Sequence, residues 1–253
     1  MFSDKKYNLD LKMNQLILRF LFIGTIISCL YSCKNTVTWY QDITDKKDWW
    51  VIEIQDPENS SITFENSQME INTSKGATIW FKEKLKGNVI IEYDVTVVDS
   101  GGTYDRVSDL NCFWMFSNPK EPDGDLKLRD NKRNGIFTNY HCLQGYYVGL
   151  GGHNNTRTRF RRYNGNINRP LMPEHDLLDS KYMIVPNKKY HIKLIAKGQI
   201  VQYWRDSQLI FNVVDNNPLK KGWFGIRTIT NHMIIENVSI KSNNNSNNSY
   251  KDN

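Results

Sequence analysis

Residues 189–214 read KYHIKLIAKGQIVQYWRDSQLIFNVV, and their alternation decides the fold class. Apolar and polar side chains take turns along YHIKLIA (190–196), IVQYWR (200–205) and LIFNVV (209–214), with turn chemistry at Lys197-Gly198. A period of two puts successive side chains on opposite faces, which is the signature of a half-buried strand. The same period recurs upstream in WVIEI (50–54), ITFE (62–65), ATIWFK (77–82), NVIIEYDVTVV (88–98), NCFWMF (111–116), YYVGL (146–150) and TRTRFRRY (156–163). It recurs downstream in GWFGIRTI (222–229) and MIIENVSI (233–240). Ser100-Gly101-Gly102, Asn118-Pro119, Pro122-Asp123-Gly124, Asn164-Gly165-Asn166 and Asn216-Asn217-Pro218 punctuate these runs as turns. Many short strands with no long amphipathic helix predict an all-β chain, a sandwich or barrel. Two longer polar stretches, 119–134 and 166–187, are loops of the length that usually carries function or mobility.

With 39% hydrophobic and 24% charged residues, the chain is neither collagenous, coiled-coil nor wholly disordered. The net charge of +6 is too mild for a nucleic-acid coat, so no nucleic-acid partner is expected. Clustered on one face, it suits an acidic ligand.

Residues 16–31, LILRFLFIGTIISCLY, follow Lys12 and have the make-up of a secretory signal. The run ends in Leu30-Tyr31-Ser32-Cys33, which resembles a bacterial lipobox. That resemblance implies cleavage before Cys33 and lipid on that residue, with the membrane engaged through the anchor alone. Met13 offers an alternative start. The expected organisation is a signal and lipobox at 1–33, a tether and first strand region at 34–48, one domain at 49–240, and a disordered Asn/Ser-rich tail at 241–253. Lys34-Asn35 lacks an acidic cluster and points to an outer-membrane anchor facing the periplasm. Cys112 and Cys142 then form either one disulfide or two buried thiols.

Residues 188–240 resemble the closing half of concanavalin A-like (laminin-G/glucanase-type) jelly rolls. The resemblance rests on Gly222-Trp223-Phe224-Gly225-Ile226-Arg227 followed by Glu236-Asn237-Val238. It implies a two-sheet antiparallel β-sandwich. The segments DRVSDLNCFWMF (105–116) and GGHNNTRTRFRRY (151–163) are also similar to uncharacterised jelly-roll lipoproteins encoded beside glycan-degrading enzymes in Bacteroidota-type bacteria. This likeness implies a role in polysaccharide use.

The most unusual local pattern is Thr156-Arg157-Thr158-Arg159-Phe160-Arg161-Arg162-Tyr163. On a strand, Arg157, Arg159, Arg161 and Tyr163 share one face, and Phe160 takes the other. Three guanidinium groups side by side repel unless carboxylates or an anionic ligand compensate them. Their planar forks match carboxylate or sulfate, so a uronate-type sugar is the expected ligand. The alternative is a solvated edge strand with acidic neighbours.

Asn139, Tyr140, His141, Tyr146 and His153 lie close by in sequence and complete a set suited to β-elimination. An Arg or Asn neutralises the uronate carboxylate, and a Tyr or His withdraws the adjacent proton. Tyr140, His141 and Tyr146 are therefore the candidate catalytic groups, each set against an ordinary packing role. Arg106, Asp109 and Asn111 are candidates for sugar hydroxyls, and Trp114 for stacking on a ring. For these the competing reading is an Arg106–Asp109 ion pair with Trp114 in the core. No cofactor is expected beyond a structural calcium ion, whose ligands the sequence does not specify.

A retaining hydrolase needs two closely spaced carboxylates. Glu53, Asp56 and Glu58 have the wrong spacing, and Glu92 with Asp94 fit outward alternation equally well. Three functions follow in order: a lyase cleaving beside a uronate, a non-catalytic glycan-binding lipoprotein, and a glycoside hydrolase. A monomer acting on an acidic polysaccharide or oligosaccharide is the expected form.

Overall fold

The structure, a computed structural model, describes residues 37–130 and 132–243. The signal, the lipobox with Cys33, and residues 244–253 lie outside the described residues. The first strands are β1 (Thr38–Tyr40), β2 (Trp50–Ile54), β3 (Ser61–Glu65), β4 (Gln68–Thr73), β5 (Ala77–Phe81) and β6 (Leu85–Lys86). The middle of the chain supplies β7 (Val89–Val97), β8 (Leu110–Ser117), β9 (Gln144–Gly151), β10 (Arg157–Asn164) and β11 (Asp176–Leu177). The last are β12 (Lys189–Lys197), β13 (Ile200–Arg205), β14 (Gln208–Val214), β15 (Lys221–Thr228) and β16 (Asn231–Ser242).

These strands form two antiparallel eight-stranded sheets. Sheet one runs β14-β13-β12-β7-β16-β4-β3, with β1 added on β16. Sheet two runs β11-β10-β9-β8-β15-β5-β2, with β6 added on β15. The chain is a jelly-roll sandwich, as the concanavalin A-like resemblance implies. Both hairpins of residues 189–214 form, and they make one flank of sheet one.

Sheet one obeys simple alternation. Val89, Ile91, Tyr93, Val95 and Val97 of β7 turn inward with Tyr190, Ile192 and Leu194 of β12. Their neighbours Glu92, Asp94, His191 and Lys193 pair with one another on the outer face. The Glu236-Asn237-Val238 triplet marks a bulge in β16. Asn237 adopts φ 53°, a left-handed conformation that Asn tolerates better than most residues, and donates to Asp94 at 2.7 Å.

Sheet two is covered on both faces. Cys112 and Trp114 of β8 enter the core between the sheets, whereas Phe113 and Phe116 enter a second apolar cluster. That cluster also holds Trp80, Leu126, Leu128, Tyr140, Leu143, Tyr147, Tyr163 and Trp223. The polar stretch after Asn118 therefore does not hang free. Residues 118–143, with three short 3-10 turns, fold back as a plug over the outer face of sheet two.

Two expectations change here. Residues 241–242 belong to β16, so the tail begins later than composition implied. Cys112 is buried and Cys142 exposed, and both are free, so neither a disulfide nor a pair of buried thiols forms.

Candidate functional site

Register across sheet two builds the site. One row of cross-strand partners runs Glu53–Thr78–Arg227–Asn111–Gly149–Arg159–Asp176 from β2 to β11. The adjacent row ends in Phe113–Tyr147–Arg161. Arg159 and Arg161 thus stand beside Gly149 and Tyr147, whose ring lies over the glycine, and they face a space above the sheet.

That space is a cavity of about 400 Å³ lined by Arg106, Asp109, Phe137, Tyr147, Gly149, Gly152, His153, Arg157, Arg159, Arg161, Arg169 and Ile229. Asp176 holds Arg159 bidentately at 2.9 and 3.0 Å and accepts from Arg157 at 3.0 Å. Hydrogen bonds from Arg159, then the charges of both arginines, hold its carboxyl below the usual carboxylate range. The remaining Arg159 nitrogen, Nη1, donates to His153 Nε2 at 2.8 Å. Across the cavity, Arg106 donates to Asp109 at 2.9 Å and to Asn154 at 2.7 Å.

Positive charge is left over. Arg161 donates to the backbone carbonyl of Arg169, and among the described residues neither arginine pairs with a carboxylate. Beneath them Arg227, 1% exposed, donates to Thr78 Oγ1 at 2.8 Å and the Gly135 carbonyl at 3.0 Å. Its guanidinium is sandwiched between Phe137 and Tyr140, 4.8 Å from each ring centre. Burial, followed by the neighbouring Arg169 charge, works against the charged state of Arg161. Burial does the same to Arg227. Four buried polar atoms around this region have no hydrogen-bond partner: Asn111 Oδ1, His141 Nε2, Arg169 Nε and Arg227 Nε.

Six candidates therefore line one cavity: Arg106, Asp109, His153, Arg157, Arg159 and Arg161. The Arg106–Asp109 ion pair exists, and it forms part of the cavity wall. The other candidates are placed differently. Tyr140 is fully buried in the plug and donates to Glu53 at 2.7 Å. Burial and then that carboxylate push its phenol well up, which disqualifies it as a base. Tyr146 points to the sandwich core and donates to Asp215 at 2.7 Å; burial raises it as well. Trp114 lies in the same core against Tyr146 and Phe160, so it stacks on no ligand. Asn139 ties the plug to itself by donating to the Arg133 carbonyl. Asn111 and Tyr163 share the sheet face but are buried below the cavity.

His141 is buried edge-on to Phe137. Desolvation first, then Arg169, Arg227 and Arg161, push its imidazole down to about 4, so it is neutral near pH 7. The carboxylates at the cavity, Asp109 and Asp176, are both engaged by arginine, and Glu53 is sealed below. The described residues therefore bring no free carboxylate pair to the cavity. Nor do they hold a cluster of three or more His, Cys, Asp or Glu fit for a metal ion.

Sequence reasoning missed Tyr147, Phe137, Arg169 and Asp176. Tyr147 carried a usable signal, since it has the same parity as Gly149 and pairs directly with Arg161.

Residues 71–238 match the family described as Domain of unknown function (DUF6250). The chain belongs to that family. No curated protein matches the DUF6250 sequence. Among solved structures, this DUF6250 chain resembles a Bacillus subtilis protein of unknown function with a galectin-like fold, at TM-score 0.59 and 16% identity, covering 81% of this chain and 96% of that one. It also resembles winged bean acidic lectin complexed with methyl-α-D-galactose, at TM-score 0.53 and 9% identity, covering 82% and 99%. A third is the carbohydrate-binding module CBM66 from Bacillus subtilis, at TM-score 0.51 and 16% identity, covering 77% and 96%. These likenesses establish the jelly-roll fold.

Proposed function

We propose that this chain recognises an acidic carbohydrate, a uronate or a sulfated sugar, in the cavity over β9 and β10. The observation that carries this reading is the trio Arg161, Arg169 and Arg227, none of which meets a carboxylate among the described residues. Unpaired guanidinium groups, with Arg227 buried and Arg161 and Arg169 half-buried, are costly, and an oxyanion relieves that cost with charge-assisted hydrogen bonds. Phe137 and Tyr147 supply apolar surface for a sugar ring beside the charge. Structural neighbours that include a lectin and a carbohydrate-binding module support a sugar as the carrier of that charge. A lipid anchor at Cys33 belongs to the same proposal and would tether the domain at the cell envelope, in an outer membrane facing the periplasm.

Binding without turnover is the primary reading, because the two tyrosines expected to move protons are committed elsewhere. Elimination is the second reading, favoured by the neutral His141 held among Arg161, Arg169 and Arg227. Titration calorimetry with uronate and sulfated oligosaccharides, set against a neutral glucan, tests both. Acidic sugars should bind and the neutral glucan should not. Arg161→Ala should weaken binding roughly ten- to a hundredfold, the loss of a hydrogen bond to a charged group. Equal binding of neutral and acidic sugars would overturn the proposal. Appearance of an ultraviolet-absorbing unsaturated product would move the assignment to a lyase.

A further inference from the structure

An extended polymer needs a groove open at both ends, and on the outer face of sheet two the plug blocks one of them. On the β2 and β5 side the plug sits directly on the sheet. Glu53, with no exposed surface, accepts from Trp80 Nε1 at 2.9 Å, Tyr140 at 2.7 Å and Arg133 Nε at 3.1 Å. Arg133, on the plug, also donates to the Leu126 carbonyl at 2.7 Å, so the charge pair and the plug's own backbone are locked together. Gly135 meets the sheet so closely that a Cβ there would lie 2.3 Å from the Gly76 carbonyl. Phe137 forms the cavity wall at this end, wedged against the guanidinium groups of Arg227 and Arg169.

Other segments line the rest of the cavity. Arg169, from the long stretch after β10, lies against Phe137 and receives Arg161 on its carbonyl. His153 and Arg157 bound the cavity at the turn between β9 and β10, and Arg106 with Ile229 bound it opposite. Each of these walls comes from a separate loop. The cavity volume of about 400 Å³ is near the lower end of small-molecule sites. That range, roughly 300–1,000 Å³, leaves room for about one or two sugar rings.

We infer that the cavity receives the charged terminal residue of an acidic glycan, and that the plug, with Phe137 as its wall, excludes internal stretches of a polymer. This inference rests on the acidic-sugar reading of the same cavity. Its charge placement is consistent, because Arg169 stands against Phe137, the wall that the plug supplies, and Arg161 is bonded to it.

The test is a length series of one acidic oligosaccharide, from disaccharide through octasaccharide to the high-mass polymer, titrated into the intact protein. For terminal recognition the Kd per chain stays constant from disaccharide to octasaccharide, with one protein bound per chain. At equal mass of sugar the polymer then binds protein only in proportion to its few chain ends. A roughly fourfold statistical gain per chain from disaccharide to octasaccharide, with several proteins saturating each polymer, overturns the inference and leaves the acidic-sugar reading standing. Absence of binding across the whole series, for uronate and sulfated chains alike, sinks the acidic-sugar reading and this inference with it.

Discussion

Replacing Glu53 with Ala isolates what holds the plug. The carboxylate is fully buried and serves three donors at once: the Arg133 guanidinium, the Tyr140 phenol and the Trp80 indole. Its removal leaves a cation that is 8% exposed with no counter-charge, plus two orphaned donors. Breaking one side of a buried ion pair costs about 3–5 kcal/mol, and this figure already absorbs much of the donor penalty because the three contacts share one acceptor. For a chain of this size each kcal/mol lowers Tm by roughly 2–4 °C, giving a fall of roughly 6–20 °C. Urea unfolding and calorimetry measure the loss, and limited proteolysis should show cleavage within 118–143 before the strands. Asp130→Ala is the control, since its partner Lys132 meets it in solvent. Exposed pairs contribute about 0–1 kcal/mol, so the control should move little. A Glu53→Ala loss no larger than the control's would refute the claim that buried charge pins the plug.

Three further outcomes follow from the same coordinates. His141 titrates at about 4 in the fold and near 6.5 when unfolded, so the unfolded chain binds the extra proton between those values. Stability should therefore fall as pH drops from about 6.5 to 4, by on the order of 3 kcal/mol, and His141→Gln should flatten that slope in pH-dependent urea melts. Gly145→Ala places a Cβ 1.9 Å from the Phe116 ring in the packed second cluster; it should cost about 1–3 kcal/mol in the same melts. An aromatic disulfide reagent should label Cys142 in the native protein and reach Cys112 only on unfolding, because burial pushes the Cys112 thiol up to about 12.

The fold was legible because most of sheet one alternates, with register shifts in β16 and between β13 and β14, and the three segments of residues 189–214 form β12, β13 and β14. β4 escaped the pattern although Met69, Ile71 and Thr73 alternate inward, because its remaining residues are polar and short. The arginine face was equally legible, since parity alone sets Arg157, Arg159 and Arg161 together. What parity cannot show is which of two neighbours looks out once both faces are buried. Tyr146 and Tyr147 are chemically identical in the sequence, and only pairing with Arg161 selects Tyr147. For β8 the bulge at Met115, with φ 55°, breaks the alternation and turns Met115 inward beside Trp114, which faces the core by its parity with Cys112. Tyr140 was beyond reach for another reason. Its partner Glu53 lies 87 residues away, and a charge-rich loop gives no sign that it will fold over a sheet.

The aromatic sandwich around Arg227 has a kinetic consequence. Mobile salt ions collapse the field of surface charges within about 8 Å at physiological strength, but they cannot enter a site roofed by Phe137 and floored by Tyr140. Association of the proposed acidic ligand should thus slow in salt, because an approaching anion feels the screened outer field, while the contacts of Arg227 with its two rings persist.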